Sequence, residues 1–333
     1  MSKGILYYNR DQAYLEKLMV SIDSLREHWS GEITVVNEGP VSRAVETICN
    51  KYQARLIPIY EQGLPIYAAK VASLKYATHR YTIFLDLDTI VTGPLDAFWG
   101  YMENYEFVFT KFHDWKTARM RRWGRLEEWL GKNIVSDKLI ERALDSPGIN
   151  TGVFGFRAAH PFLKRWVRLT QMAEEQELTV TDESCAQALL PTLHHYIASA
   201  KWNVSDMLGD RSPENRVIHF HGGSTQEGIG KPCFTDFWND RLSRVAAKHP
   251  ELYTLSEEED RKRNVILLCS LDANDVEAYF VMARMCVSSL LRTNEDCDII
   301  FIHNNDKLLY SVARQRVTEY QIEGRKWGQI LFL

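Results

Sequence analysis

The chain has 333 residues, 45% of them hydrophobic and 25% charged, with a formal net charge of -4. This is a globular composition, long enough for one large domain and something smaller. The slight acidity excludes a dedicated nucleic-acid binder, and no apolar run is long enough to span a membrane, which leaves room only for peripheral membrane contact.

Met1-Ser-Lys-Gly4 leads straight into a strand pattern and not into a signal peptide. Six cysteines, at 49, 185, 233, 269, 286 and 297, show no C-x-x-C spacing, so reduced, packed thiols in a cytoplasmic protein are expected.

The first strand is Gly4-Ile-Leu-Tyr-Tyr8, ending at Asn9. Tyr14, Leu15, Leu18, Met19, Ile22, Leu25 and Trp29 then recur at helical spacing. Glu32 to Val36 reads as a strand, Ser42 to Tyr52 as a helix, Ala54 to Tyr60 as a strand and Ile66 to Tyr76 as a helix. Strands alternating with helices at this pitch predict βαβ units and a parallel sheet, with ligands beyond the carboxyl ends of the strands.

Tyr81-Thr-Ile-Phe-Leu-Asp-Leu-Asp-Thr-Ile-Val91 is expected to be one continuous buried strand. Alternation would put Asp86 and Asp88 on the same face. Two like charges on a hydrophobic strand need a cation or a shared proton, unless they merely cap a solvated strand end.

Gly93 to Trp99 reads as a turn and short helix, and Glu106 to Thr110 as a strand. From Phe112 to Leu144 the chain is dense in Trp115, Lys116, Arg119, Arg121, Arg122, Trp123, Arg125 and Trp129. That segment fits either an acceptor-binding flap, with Arg on anions and Trp on sugar rings, or a solvated amphipathic helix pair.

Ile149-Asn-Thr-Gly-Val-Phe-Gly-Phe156 is a strand with small polar residues at its start, and Pro161 to Glu174 a helix. Thr181-Asp-Glu183 opens another helix, where Asp182 is either a simple first-turn acid or a carboxylate facing a reaction centre. Val217-Ile-His-Phe-His-Gly-Gly223 is a strand ending with His219 and His221 on one face. A lone histidine there would be structural, but with an unexplained carboxylate pair elsewhere it is a candidate ligand, since Asp, Asp and His suit Mn2+. Gly222, Gly223, Gly228, Gly230 and Lys231 form a loop able to approach a phosphate and supply a cation.

Residues 251–263 are a charged linker, after a first domain over residues 1–250. Residues 264–333 resemble the chain's own beginning: Val265 to Cys269 and Asp298 to Ile302 read as strands flanking a helix. This is either an internal repeat or chance likeness of two βαβ openings, and the segment is either the start of a truncated second domain or a small βαβ appendage.

Lys70-Val-Ala-Ser-Leu-Lys-Tyr76, Phe84-Leu-Asp-Leu-Asp88, Asn150-Thr-Gly-Val153, Thr181-Asp-Glu183, His219-Phe-His-Gly222 and Lys231-Pro232 follow in that order. Over residues 3–235 the chain thereby resembles GT-A glycosyltransferases, most closely glycosyltransferase family 8, the glycogenin-like and lipopolysaccharide galactosyl- and glucosyltransferases. The resemblance implies an α/β GT-A fold, Rossmann-like, with a mixed, mostly parallel sheet.

It also implies a metal-dependent transfer of sugar from a UDP-sugar donor to a glycan, lipid-linked or protein acceptor, with retention of anomeric configuration. Asp86, Asp88 and His219 would hold Mn2+ (or Mg2+), and Lys70 and Lys231 would contact phosphate or the donor sugar. Tyr14 would stack on the base, with Tyr8 and Asn9 lining its pocket. Asn150 and Asp182 would sit beside the anomeric carbon, and Leu87, Thr151, Glu183 and Gly222 would complete the donor contacts. The family's Gly and Gln around Asp182 are Thr181 and Glu183 here. An acid-rich helix start leaves a general base, and hence inversion, open.

Two other readings attach to the same residues. A haloacid dehalogenase-type phosphatase would use Asp86 as nucleophile and Asp88 as acid/base, but would carry the motif on its first strand. A transferase-like chain without catalysis would serve as a binding module.

Overall fold

The runs Ile5-Leu-Tyr-Tyr8 and Ile33-Thr-Val-Val36 are apolar on both faces, as strands covered on both sides must be. They form β1 (Lys3–Asn9) and β2 (Glu32–Glu38), joined by α1 (Leu15–Arg26); α2 (Arg43–Lys51) then leads to β3 (Ala54–Ile59). Ser42 caps α2, its side chain accepting from the Val45 amide at 3.2 Å. Next come α3 (Ile66–Ser73), β4 (Tyr81–Leu85), β5 (Thr89–Val91), α4 (Asp96–Asn104), β6 (Phe107–Lys111) and α5 (Asp137–Leu144). The fold continues with β7 (Ile149–Arg157), α6 (Phe162–Glu175), α7 (Asp182–Leu189), β8 (His195–Ala198), β9 (Val204–Ser205), β10 (Val217–His219) and α8 (Pro232–Lys248).

The computed structural model describes residues 2–10, 14–59, 64–111, 126–176, 182–207, 209–220 and 232–252, and the strands 264–270, 297–303 and 317–321. It divides into two units, Met1–Leu252 and Tyr253–Leu333.

The main sheet has the order β3-β2-β1-β4-β7-β6-β8. β3, β2, β1 and β4 are mutually parallel, as are β6 and β8, while β7 runs antiparallel to both β4 and β6. One reversed strand in the middle has a direct consequence. The beginning of β7 lies beside the carboxyl end of β4, with Val153 opposite Leu85. A smaller sheet, β5-β10-β9, pairs His219 with Thr89 and Ser205.

Alternation along β7 separates the two layers. Phe154 and Phe156 join Phe84, Phe107 and Phe109 in the core that packs on α3, α6 and α7. Gly155 faces α4, where a Cβ would come within 2.6 Å of Met102 and 3.0 Å of Phe98. Each fully buried Phe contributes about 1.5–3 kcal/mol of burial free energy, so this aromatic ladder anchors β7 between its two neighbours.

Two expectations change. The strand from Tyr81 to Val91 is not continuous: it stops at Leu85, and Thr89–Val91 belongs to the smaller sheet. Aspartate favours turns, and here Thr89 Oγ1 donates to the Asp86 carbonyl at 2.7 Å to close one. Trp129 is fully buried in the main core, which removes it from a sugar-stacking role. The other residues singled out between Trp115 and Arg125 lie outside the described residues.

In the second unit, β11 (Asn264–Ser270), β12 (Cys297–His303) and β13 (Val317–Gln321) form a parallel sheet in that order.

Candidate active site and metal centre

The Asp86–Asp88 turn is held from three sides. The Asp86 amide donates to the Gly152 carbonyl at 2.8 Å, the Phe220 amide donates to the Asp88 carbonyl at 2.8 Å, and Thr89 closes the turn from within. Both carboxylates are therefore presented at the carboxyl end of β4 by backbone bonds from β7 and the end of β10. Alternation along a strand has no part in it. Their side chains are 23% and 24% exposed, reachable by a ligand but not freely solvated. Leu87, between them, is buried.

Lys70, on α3, extends its ammonium to Asp86 Oδ1 at 2.7 Å and to Asp182 Oδ2 at 2.8 Å. Asp182 begins α7, yet its carboxylate is more than a first-turn acid: Oδ2 also accepts from Thr151 Oγ1 at 2.8 Å. Trp166 Nε1 donates to the Asp182 carbonyl at 2.8 Å, fixing the backbone there. Gln187 joins α7 to the start of β7, accepting from the Ile149 amide at 3.0 Å and donating to the Pro147 carbonyl at 3.1 Å. These bonds bring Asn150, Thr151, Asp182 and Glu183 together, and Asn150 Nδ2 donates to Glu183 Oε2 at 2.6 Å.

His219 ends β10 and is buried. Its Nε2 lies 3.2 Å from Asp88 Oδ1 and 3.7 Å from Asp86 Oδ2, and its Nδ1 lies 3.0 Å from Asn203 Oδ1. Gly152 makes room for the ring, since a Cβ there would fall 2.1 Å from His219 Cε1 and 2.4 Å from Nδ1. The small residue in the Asn150-Thr-Gly-Val153 stretch thus has a steric reason that the sequence alone does not show.

The electrostatics follow from this crowding. Burial by itself would lower the Lys70 ammonium, but Asp182 and Asp86 outweigh it and hold the pKa well above the ordinary lysine value. Burial raises the Asp86 pKa, with Lys70 and His219 opposing. For Asp88, burial is outweighed by His219, and the carboxyl is held well below its usual range. Burial would lower the His219 imidazole, yet Asp88 and Asp86 raise it. In short, three carboxylates, Asp86, Asp88 and Asp182, crowd around Lys70 and His219.

At the neighbouring strand ends, the Tyr8 hydroxyl donates to Glu38 Oε2, and Asn9 Nδ2 donates to Asn37 Oδ1 at 2.6 Å. The buried Oδ1 of Asn9 has no hydrogen-bond partner among the described residues. Tyr14, just before α1, lies under Lys17 Nζ at 5.4 Å, and the same ammonium is 3.7 Å from Asp88 Oδ2. The expected residues Tyr8, Asn9, Tyr14, Lys70, Asp86, Leu87, Asp88, Asn150, Thr151, Asp182, Glu183 and His219 thus line the carboxyl end of the sheet. Gly222 and Lys231, with His221, lie outside the described residues.

Lys17 and Asn203 were not picked out by sequence. Lys17 sits on an ordinary amphipathic helix, and Asn203 is an isolated amide in Lys201-Trp-Asn-Val204, so neither carries a local signal.

Asp86, Asp88 and His219 each offer one donor atom, and the three atoms lie within 4.8 Å of one another. Two carboxylate oxygens and an imidazole nitrogen, converging at that spacing, fit a hard or borderline divalent cation.

No family model matches the chain, and no curated protein matches it in sequence. Solved structures match it in fold. The glycosyltransferase GlyE of Streptococcus pneumoniae TIGR4 aligns at 14% identity with a TM-score of 0.53, covering 96% of this chain and 81% of that one. The galactosyltransferase LgtC, solved with donor and acceptor sugar analogues, aligns at 16% identity with a TM-score of 0.51, over 74% of this chain and 95% of its own. The bifunctional glycosyltransferase WbbM aligns at 13% and 0.50, over 76% of this chain and 51% of its own. The fold expected from the ordered motifs is the fold found: GT-A, with a mostly parallel seven-stranded sheet.

Proposed function

We propose that this protein is a glycosyltransferase that moves a sugar from a nucleotide sugar, a UDP-sugar, to a hydroxyl of a glycan, lipid-linked or protein acceptor, with retention of configuration. The observation that carries this reading is the convergence of Asp86, Asp88 and His219 at the carboxyl end of a GT-A sheet. GlyE and LgtC, a glycosyltransferase and a galactosyltransferase of similar fold, support the reaction class. A first-strand phosphatase motif has no footing here, because the diacid turn follows the fourth strand of the sheet.

Asp86, Asp88 and His219 are the residues that would hold Mn2+ or Mg2+. Such a cation supplies positive charge to a diphosphate leaving group. Lys70 positions the two acidic groups on either side of the donor-sugar subsite and contributes its own charge there. Asn150 and Asp182, each fixed by hydrogen bonds within the network, orient the donor sugar, with Thr151 and Glu183 as their partners. At the base end, the unpartnered amide oxygen of Asn9 is an acceptor suited to a base N–H, and Tyr14 offers a ring for stacking. Gly222 and Lys231 are assigned to the phosphates on the resemblance alone.

Among the described residues no helix is long and apolar enough to cross a membrane. A cytoplasmic location belongs to the same proposal and is supported by Cys49, a buried free thiol. Burial pushes the Cys49 thiol up to about 12, which keeps it unreactive. For the second unit we propose a repeat of the opening of the first, because β11-β12-β13 has the same neighbour order and parallel sense as β1-β2-β3.

The test is UDP release from a panel of UDP-sugars with Mn2+ present. Turnover of one of them, lost in Asp88→Asn and with a chelator, is the expected result. Full activity of Asp88→Asn, or activity indifferent to the chelator, would sink the metal assignment.

A further inference from the structure

The hydrogen-bond network behind His219 begins with a group that has no choice of role. The Gly152 backbone N–H can only donate, and the side-chain atom it meets at 2.7 Å is Asn150 Oδ1. The amide of Asn150 is therefore oriented, with Nδ2 toward the Glu183 carboxylate at 2.6 Å. Asn203 meets the same Oδ1 at 2.7 Å, so Asn203 must present its NH2 group there. That NH2 also reaches Thr110 Oγ1 at 2.8 Å, and Thr110 spends its one hydroxyl proton on the Val153 or Asn150 carbonyl, at 2.9 and 3.2 Å. Both amide orientations are thus forced, and Asn203 Oδ1 is left facing His219 Nδ1 at 3.0 Å. A carbonyl oxygen only accepts, so Nδ1 carries the proton.

We propose that Asn203 is the positioning residue of the candidate metal centre: by accepting from His219 Nδ1–H it fixes the imidazole so that Nε2, the nitrogen facing Asp86 and Asp88, is the one left to ligate a cation. The inference rests on the proposed metal site and adds the group that sets its imidazole. Asn150, Asn203, Thr110 and His219 are all more than nine-tenths buried, so water does not substitute for a mispaired group. The placement of Asn203 is also rigid. It immediately precedes β9, whose parallel pairing sets Val204 opposite Ile218 and Ser205 opposite His219. A ligating histidine whose other nitrogen is committed to a carbonyl cannot rotate or exchange tautomer without breaking the chain back to Gly152.

Long-range proton–nitrogen NMR on 15N-histidine-labelled protein saturated with diamagnetic Mg2+ reads directly which His219 nitrogen carries the proton. The Nδ1–H form is expected, and an Nε2–H His219 would overturn the proposal even if no variant folds. Asn203→Leu, close in size but without the acceptor, is expected to lose the Nδ1–H signature and to bind Mn2+ roughly 10–100-fold more weakly by paramagnetic resonance titration. Asn203→Asp gives up the NH2 donor to Asn150 and Thr110 but keeps an acceptor toward His219, and is expected to keep the proton on Nδ1. A folded Asn203→Leu with unaltered tautomer and unaltered Mn2+ affinity would overturn Asn203's role alone. Failure of the wild type itself to bind Mn2+ would overturn the metal centre, and this role with it.

Discussion

The Lys70 ammonium stands 2.7 Å from Asp86 and 2.8 Å from Asp182, so a single charge links the β4–β5 turn to the first residue of α7. The lysine side chain is only 14% exposed, and Asp182 only 7%. Removing it would leave two carboxylates crowded without their shared cation. Lys70→Met is expected to cut turnover by about 10²–10³, the usual loss when one fixed electrostatic group leaves an active site. Steady-state kinetics on the UDP-sugar found active in the release assay decides it; a loss below tenfold would remove Lys70 from the catalytic group.

Gly152→Ala tests the steric half of the metal site. The added Cβ would fall 2.1 Å from the His219 ring, and the ring must move because β7 is held between two strands. Weaker Mn2+ binding, by roughly 10–100-fold as for loss of a ligand's supporting contact, is expected with every ligand residue intact. An unchanged Mn2+ titration would show that the imidazole has room to spare.

Glu183 accepts from Asn150 Nδ2 at 2.6 Å, and Glu183→Gln keeps an acceptor oxygen in that position. If the reaction retains configuration without a base at Glu183, turnover should fall less than about tenfold, whereas a general base would cost about 10²–10⁴. The anomeric coupling of the product, followed by NMR from an α-linked donor, gives the companion result: an α product is expected. A β product together with a collapse of Glu183→Gln would establish inversion.

Asp23 on α1 anchors α8. It accepts from Arg241 Nη2 at 2.5 Å, Lys248 Nζ at 2.7 Å and the Tyr52 hydroxyl at 2.9 Å. Burial would raise its pKa, but Lys248, Tyr52 and Arg241 together bring it below the ordinary 3.8. A depressed folded value means the stabilisation is present above about pH 4 and is lost as the pH falls through the folded pKa. Thermal melts should therefore show Asp23→Asn less stable than the wild type at neutral pH, by about 3 kcal/mol for a broken buried pair. The gap should close in acid; a gap that stays constant to low pH would deny the ionic role.

Much of the site was legible because its parts carry local signals. The βαβ alternation, the apolar run before Asp86, the small polar start of β7 and the strand leading to His219 each follow from side-chain periodicity. Periodicity reports which face a residue takes within its own element. It also misled at one place. Alternation across residues 81–91 gives both aspartates one face, yet the chain turns at Asp86 because Gly152 and Phe220 supply backbone partners there that the local sequence does not contain.

What sequence by itself determined was the inventory: a parallel α/β sheet, a diacid, a basic residue on the preceding helix and a late histidine, in an order that resembles one family. What only the tertiary structure decided was who meets whom. Reversal of β7 brought Asn150 and Gly152 to the carboxyl end of β4, and pairing of β9 with β10 brought Asn203 to His219. Trp129, rich in apparent sugar-binding chemistry, went instead into the core. Those outcomes depend on strand register and on hydrogen bonds spanning 16 to 93 positions of chain. A pattern read over one or two turns of helix holds no term for contacts at that separation.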